Sequence, residues 1–215
     1  MKLKVLLVAA LGIGVTMWFA GHAFAQHDDH GHSGHDHAAH GDNDEADMMA
    51  LWAKMSAPGE HHKHLNAFVG KWNYVLKWRM SPEQPWTNDK GTAENEWILG
   101  GRYVRQHARA LKPDEVMGMQ FEGNGILGYD NLKHKHFSAW IDNAGTGMAI
   151  SEGTCDGSEK TITLTGTHAD PITGKEKTDR SVYRVINDDK HTLTMYEIGP
   201  DGKEYMSMEI TYTRK

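Results

Sequence analysis

Between Lys71 and Met80 the chain alternates: Trp72, Tyr74, Leu76, Trp78 and Met80 fall on one side, with mostly polar residues between them. A period of two sends successive side chains to opposite faces, so this stretch predicts a strand with one buried face. The same period recurs near the C-terminus, where Met206, Met208, Ile210 and Tyr212 alternate with Tyr205, Ser207, Glu209 and Thr211. It appears again where Ile162 and Leu164 sit among Thr161, Thr163, Thr165 and Thr167. Turn formers punctuate the runs at Gly100-Gly101, Pro113-Asp114, Asp130-Asn131, Asp142-Asn143 and Asp156-Gly157, then at Asp170-Pro171, Asn187-Asp188-Asp189 and Pro200-Asp201-Gly202. Strands of about nine residues between such turns amount to about eight to ten antiparallel strands. One apolar and one solvated face predicts an all-β fold, an antiparallel up-and-down barrel or a sandwich. No stretch is helical for long enough to return the chain to a parallel strand, which excludes Rossmann and TIM architectures.

Two stretches depart from this period. From Pro58, PGEHHKHLNAFVG predicts a short helix that sets His61, His64, Leu65 and Phe68 on neighbouring faces. Its three histidines, His61, His62 and His64, are expected to be solvated, with His61 and His64 spaced to share a metal. Before it, Met48, Met49, Leu51, Trp52 and Met55 predict a short amphipathic helix over 48–57, started by Asp44 or Asp47 and stopped by Pro58. So apolar a helix is expected to pack on the domain or on a partner.

Residues 1–25 carry Lys2 and Lys4, an uncharged, mostly apolar run from Val5 to Phe19, and Ala23-Phe24-Ala25, the arrangement of a secretory signal peptide. The run is short for a membrane span, and no cysteine stands near the cleavage site to take a lipid. The expectation is export to the periplasm or beyond, with cleavage after Ala25 and no stable membrane insertion.

Composition changes the picture chiefly through histidine. The 215 residues hold 15 histidines and one cysteine, at a formal charge of −6. One cysteine excludes an internal disulfide and any cysteine-based cluster, and the acidic balance argues against nucleic acid as a partner. Residues 26–47, QHDDHGHSGHDHAAHGDNDEAD, contain six of the histidines and seven acids and almost nothing large and apolar. Such a tail is expected to be disordered, because it has too little apolar surface to offset its ordering entropy. His27, His30, His32, His35, His37 and His40 make it a candidate ligand set for Zn, Cu or Ni, or else a solvated spacer with incidental metal affinity. No other cofactor is expected, haem included. From residue 58 onward 22 acids face 20 bases, so the body of the chain, 58–215, is nearly neutral.

Phe68-Val69-Gly70-Lys71-Trp72 resembles the opening of the calycins, the lipocalins and fatty-acid-binding proteins, which begin with a short helix and Gly-x-Trp. That resemblance implies a Trp72 closing one barrel end beneath a basic residue from a late strand, here Arg214. Longer stretches follow in order, among them Ile98-Leu99-Gly100-Gly101-Arg102-Tyr103, Met117-Gly118-Met119-Gln120-Phe121-Glu122-Gly123 and Trp140-Ile141-Asp142-Asn143-Ala144-Gly145. With Met208-Glu209-Ile210-Thr211-Tyr212-Thr213-Arg214 they are similar to the bacterial family known as domain of unknown function 1579. The resemblance covers residues 58–215, implies a lipocalin-like barrel and brings no activity with it.

If Trp72 and Trp78 face inward, Trp140, Met148, Glu152, Met195, Glu197, Met208 and Tyr212 are the expected inner wall. Aromatic rings and adaptable methionines suit a small, mostly apolar ligand. The alternative is a filled core, with Glu152 and Glu197 at the rim or paired with Arg105 or Arg180. His134 and His136 are expected on one strand face, and His107 on a second polar face, either able to offer imidazole to a metal. Glu122-Gly123-Asn124-Gly125 reads as a bulge or a place where something approaches the backbone closely. No nucleophile elbow, phosphate loop or His-Glu-x-x-His is present. Binding is therefore expected rather than catalysis, with a barrel hydrolase or isomerase using Glu152 or Glu197 as the enzymatic alternative.

Overall fold

A computed structural model describes residues 41–113, 118–170 and 174–215. The expected signal peptide and all six tail histidines lie outside the described residues. Helix α1 (Gly41–Ser56) is followed by α2 (Glu60–Lys63), a 3₁₀ helix (His64–Phe68) and ten strands. These are β1 (Gly70–Trp78), β2 (Thr87–Ile98), β3 (Tyr103–Pro113), β4 (Gln120–Asp130) and β5 (Lys135–Asp142), then β6 (Ala149–Cys155), β7 (Thr161–Ala169), β8 (Glu176–Asn187), β9 (Lys190–Ile198) and β10 (Glu204–Arg214). Each strand pairs antiparallel with its neighbour in sequence, and β1 pairs with β10, closing an up-and-down barrel. Closure leaves no free edge to template aggregation. No helix among the described residues is long and apolar enough to cross a membrane.

Helix α1 is longer than the sequence pattern predicts: it begins at Gly41, upstream of both Asp44 and Asp47 and within the segment expected to be disordered. The acids Asp44, Glu45 and Asp47 lie in its first half, where carboxylates favour the positive end of a helix, and this extends it upstream of the apolar residues. Asn131 donates to the carbonyls of Met55 and Ala57 at 2.8 and 2.9 Å, tying the end of α1 to the turn after β4.

The 3₁₀ helix closes one end of the barrel. Leu65 and Phe68 are buried there against Val104, Ile162 and Leu164. Beside them Trp72 is fully buried, its indole NH donating to the Phe68 carbonyl at 2.9 Å, while the Arg214 guanidinium lies 4.2 Å from its ring centroid. Arg214 also donates to the carbonyls of Val69 and Asp188. The tryptophan and its late-strand arginine thus meet as the calycin resemblance implies. At this end the strands turn through the short connections at 99–102, 131–134, 156–160 and 188–189, whereas longer connections lie at the other.

The glycines of β4 answer to Trp140. A Cβ on Gly125 would sit 2.9 Å from that indole, and one on Gly123 would collide with it outright. Close approach of a side chain, not a bulge, accounts for Glu122-Gly123-Asn124-Gly125.

Candidate functional site

The barrel encloses a cavity of about 360 Å3. At about 30 Å3 per water this is room for roughly a dozen non-hydrogen atoms, within the range of small-molecule pockets. Phe68, Tyr74, His191 and Tyr212 lie toward the capped end, and Leu76, Phe121, Trp140, Leu193, Met195, Met208 and Ile210 line the middle. Asp142, His168, Asp179 and Glu197 bring polar groups from the strand ends on the uncapped side.

Five of the residues expected inside, Trp140, Met195, Glu197, Met208 and Tyr212, do line this cavity. Three do not. Trp78 is half-buried but forms no part of the wall. Met148 precedes β6 and is 59% exposed, and Glu152 points outward, where it pairs with Lys133 and Lys135. Antiparallel register explains the inversion, because residues directly opposite share a face. Trp140 opposes Ala149 and Ser138 opposes Ser151, so the odd-numbered residues of β6 face inward and Ile150 faces water. A similar shift occurs in β10. A bulge between Met206 and Met208 is held by Arg79, whose amide donates to the Ser207 carbonyl at 2.9 Å and whose side chain donates to the Met206 carbonyl at 3.0 Å. It brings Tyr205 beside Glu197 in place of Met206. Glu152 and Glu197 are therefore not brought together as an acid–base pair, and neither meets its expected arginine, since Arg105 pairs with Glu96 and Arg180 with Glu204.

The polar side of the cavity was largely missed by alternation alone. Asp179 is 6% exposed; its carboxylate meets His168 Nδ1 at 3.2 Å and accepts the Ser181 hydroxyl at 3.4 Å. Glu197 pairs with Lys177 and accepts the Tyr205 hydroxyl at 3.3 Å. Thr178-Asp179-Arg180-Ser181 has no apolar alternation of its own to mark an inward face. Yet Asp179 opposes Glu197 and Ser181 opposes Met195 across β8 and β9, so placing Met195 inside requires Asp179 inside. Trp140 donates its indole NH to Asp142 at 2.8 Å, which fixes the ring against the glycine track.

Burial governs the titration of the inner wall. His191 is pushed down to about 3, first by desolvation and then by the Arg214 charge. Its ring stacks on Tyr212 at 4.3 Å and makes edge contacts with Trp72 and Phe68, and neither ring nitrogen has a hydrogen-bond partner. Tyr74 is raised to about 12 by desolvation and by Asp89, and burial raises Tyr212 and Tyr183 as well. These hydroxyls stay neutral across the physiological range. Burial, then Asp156, raises the Cys155 thiol, which keeps it unreactive.

The strand histidines do not form the polar walls expected of them. His134 stands in the turn before β5 at φ 54°, off the face that carries His136. His107 is on the outer surface with Glu122 at 2.7 Å. Around it a surface depression of about 490 Å3 is bordered by Lys71, Glu94, Glu96 and Arg105. Those charges already pair with one another, Lys71 with Glu94 and Arg105 with Glu96.

Fold and cavity together define a lipocalin-like barrel with a partly hollow interior. The chain belongs to the family described as "Protein of unknown function (DUF1579)", whose model matches residues 57–214. In fold it is similar to the crystal structure of Rv2717c from M. tuberculosis, with a TM-score of 0.54 and 13% identity, over 74% of this chain and 99% of that one. No curated protein matches the chain.

Proposed function

We propose that this protein is an exported carrier or sensor that binds a small, mostly apolar molecule inside its barrel, with one hydrogen-bond donor of that molecule facing Asp179. The observation that carries the reading is the cavity itself, with aromatic, leucine and methionine walls and a nearly buried carboxylate on one side. Apolar walls supply the driving force by surface burial, about 25 cal/mol per Å2, and the carboxylate fixes orientation. 2-Naphthol, about eleven non-hydrogen atoms with one hydroxyl, fits that volume and serves as the probe. Calorimetric titration of the full chain with it is expected to show saturable binding with a negative heat-capacity change. Leu193→Trp, which fills the cavity from its wall, is expected to abolish that binding while the chain stays folded. Equal binding by both proteins, or none by either, overturns the proposal.

The export part of the reading rests on the N-terminal pattern, and N-terminal sequencing of the protein from the cell envelope is expected to begin at Gln26. The six histidines of the tail support a divalent-metal affinity there, to be read as zinc stoichiometry lost when residues 26–40 are deleted.

A further inference from the structure

Beneath the cap, four histidines converge from two parts of the chain: His61 and His62 on α2, His64 at the start of the 3₁₀ helix, and His136 near the start of β5. The expectation that the cap histidines are solvated holds only for His61, because this helix covers the barrel end instead of lying on its surface. His62 is buried and already engaged, its Nδ1 accepting the Gly59 amide at 3.0 Å. The other three are not so engaged. His136 is 1% exposed; the Gly128 carbonyl faces its ring, but neither ring nitrogen forms a well-aligned hydrogen bond. His64 Nδ1 is likewise buried without a partner, while Nε2 of the same ring faces Glu159 Oε2 at 3.4 Å. His61 stacks on Tyr129, with ring centroids 4.4 Å apart. One ring nitrogen from each of His61, His64 and His136 lies within 4.8 Å of the other two.

Buried nitrogens that have lost water without gaining a well-formed hydrogen bond are destabilising as they stand, and native proteins rarely keep them without a reason. A cation that accepts their lone pairs supplies one. We propose that His61, His64 and His136 bind a zinc-class divalent transition-metal ion, which fastens the cap to β5. Imidazole suits this class of metal, and three protein nitrogens with a fourth position left to water form a common tetrahedral arrangement. Bonds of 2.0–2.1 Å in a tetrahedron set the nitrogens about 3.3 Å apart, so the three must draw together, with exposed His61 shifting along Tyr129. With His64 Nδ1 toward the metal, Glu159 against Nε2 of the same ring is placed as the outer carboxylate that orients a metal-binding imidazole and raises its basicity.

The test uses zinc alone, titrated against a chromophoric chelator, in the full chain carrying Asn at all six tail histidine positions. One tight equivalent is expected. His61→Ala, an exposed change that leaves the barrel intact, should weaken it at least 100-fold, as should His136→Asn, and Glu159→Gln about 10-fold. Zinc should raise the thermal midpoint of the tail-substituted chain and leave that of its His61→Ala form unmoved. An equivalent that survives His61→Ala unchanged in a folded protein overturns the assignment, as does the absence of any equivalent. Because 2-naphthol binding is read in the interior cavity, this proposal and the ligand proposal fail independently.

Discussion

The two ends of the barrel are built differently. At the capped end Trp72, Leu65 and Phe68 are excluded from water, and Trp72 and Asn95 both donate to the Phe68 carbonyl. At the uncapped end Glu197, Lys177 and His168 keep a fifth to a third of their side-chain surface exposed, and their charges are paired rather than buried. Short turns join the strands at the first end and longer loops at the second. The contrast separates fold from chemistry: the capped end secures closure, and the uncapped end is where a solvated ligand can meet Asp179 and Glu197.

Changes at the capped end should therefore cost most in stability, and those at the uncapped end should act on ligand. Trp72→Ala is expected to destabilise by about 3–5 kcal/mol, read in urea denaturation, because it opens a cavity under Arg214 and leaves the Phe68 carbonyl to Asn95 alone. A drop no larger than that of an exposed substitution would erase the distinction between the ends. Next comes pH. His191 titrates near 3 when folded and near its ordinary 6.5 when unfolded, so the unfolded chain takes up a proton that the folded one refuses. Its contribution is complete above about 6.5 and falls by about 1.4 kcal/mol per pH unit below that, toward pH 3. His191→Leu should flatten the acid side of the stability–pH curve; identical curves would show that His191 is not held neutral. Asp179→Asn should leave stability nearly intact and weaken 2-naphthol about tenfold, by replacing a charge-assisted bond with a neutral one. Smallest of all, Glu152→Gln on the outer wall should change neither the urea midpoint nor 2-naphthol binding, and an effect on binding would return that residue to the cavity.

Much of this plan was legible in the chain. Strict alternation in 71–80 placed Trp72, Tyr74 and Leu76 inside, and turn residues at regular spacing marked where strands end. Gly70-Lys71-Trp72 pointed to Arg214, and the contact is present. Reading failed where a strand's own pattern was outvoted by its neighbours. Strand β6 puts Ile150 outside and Ala149 and Ser151 inside because the bulk of Trp140 requires a small partner opposite. In β10 one bulge exchanged Met206 for Tyr205. Asp179 and His191 are polar residues on an inward face, and only cross-strand register, which depends on the turn after β8, could have found them. The histidine cluster was beyond local reading for a different reason: His61 and His136 lie far apart in sequence, and only closure of the barrel under its cap brings them together.

A crystal structure of the full chain grown with 2-naphthol tests the central claim most directly. The ring should lie within the barrel against Trp140, Leu193 and Met208, its hydroxyl about 3 Å from the Asp179 carboxylate. Side chains collapsed into that space, with the ring bound only elsewhere, would contradict it.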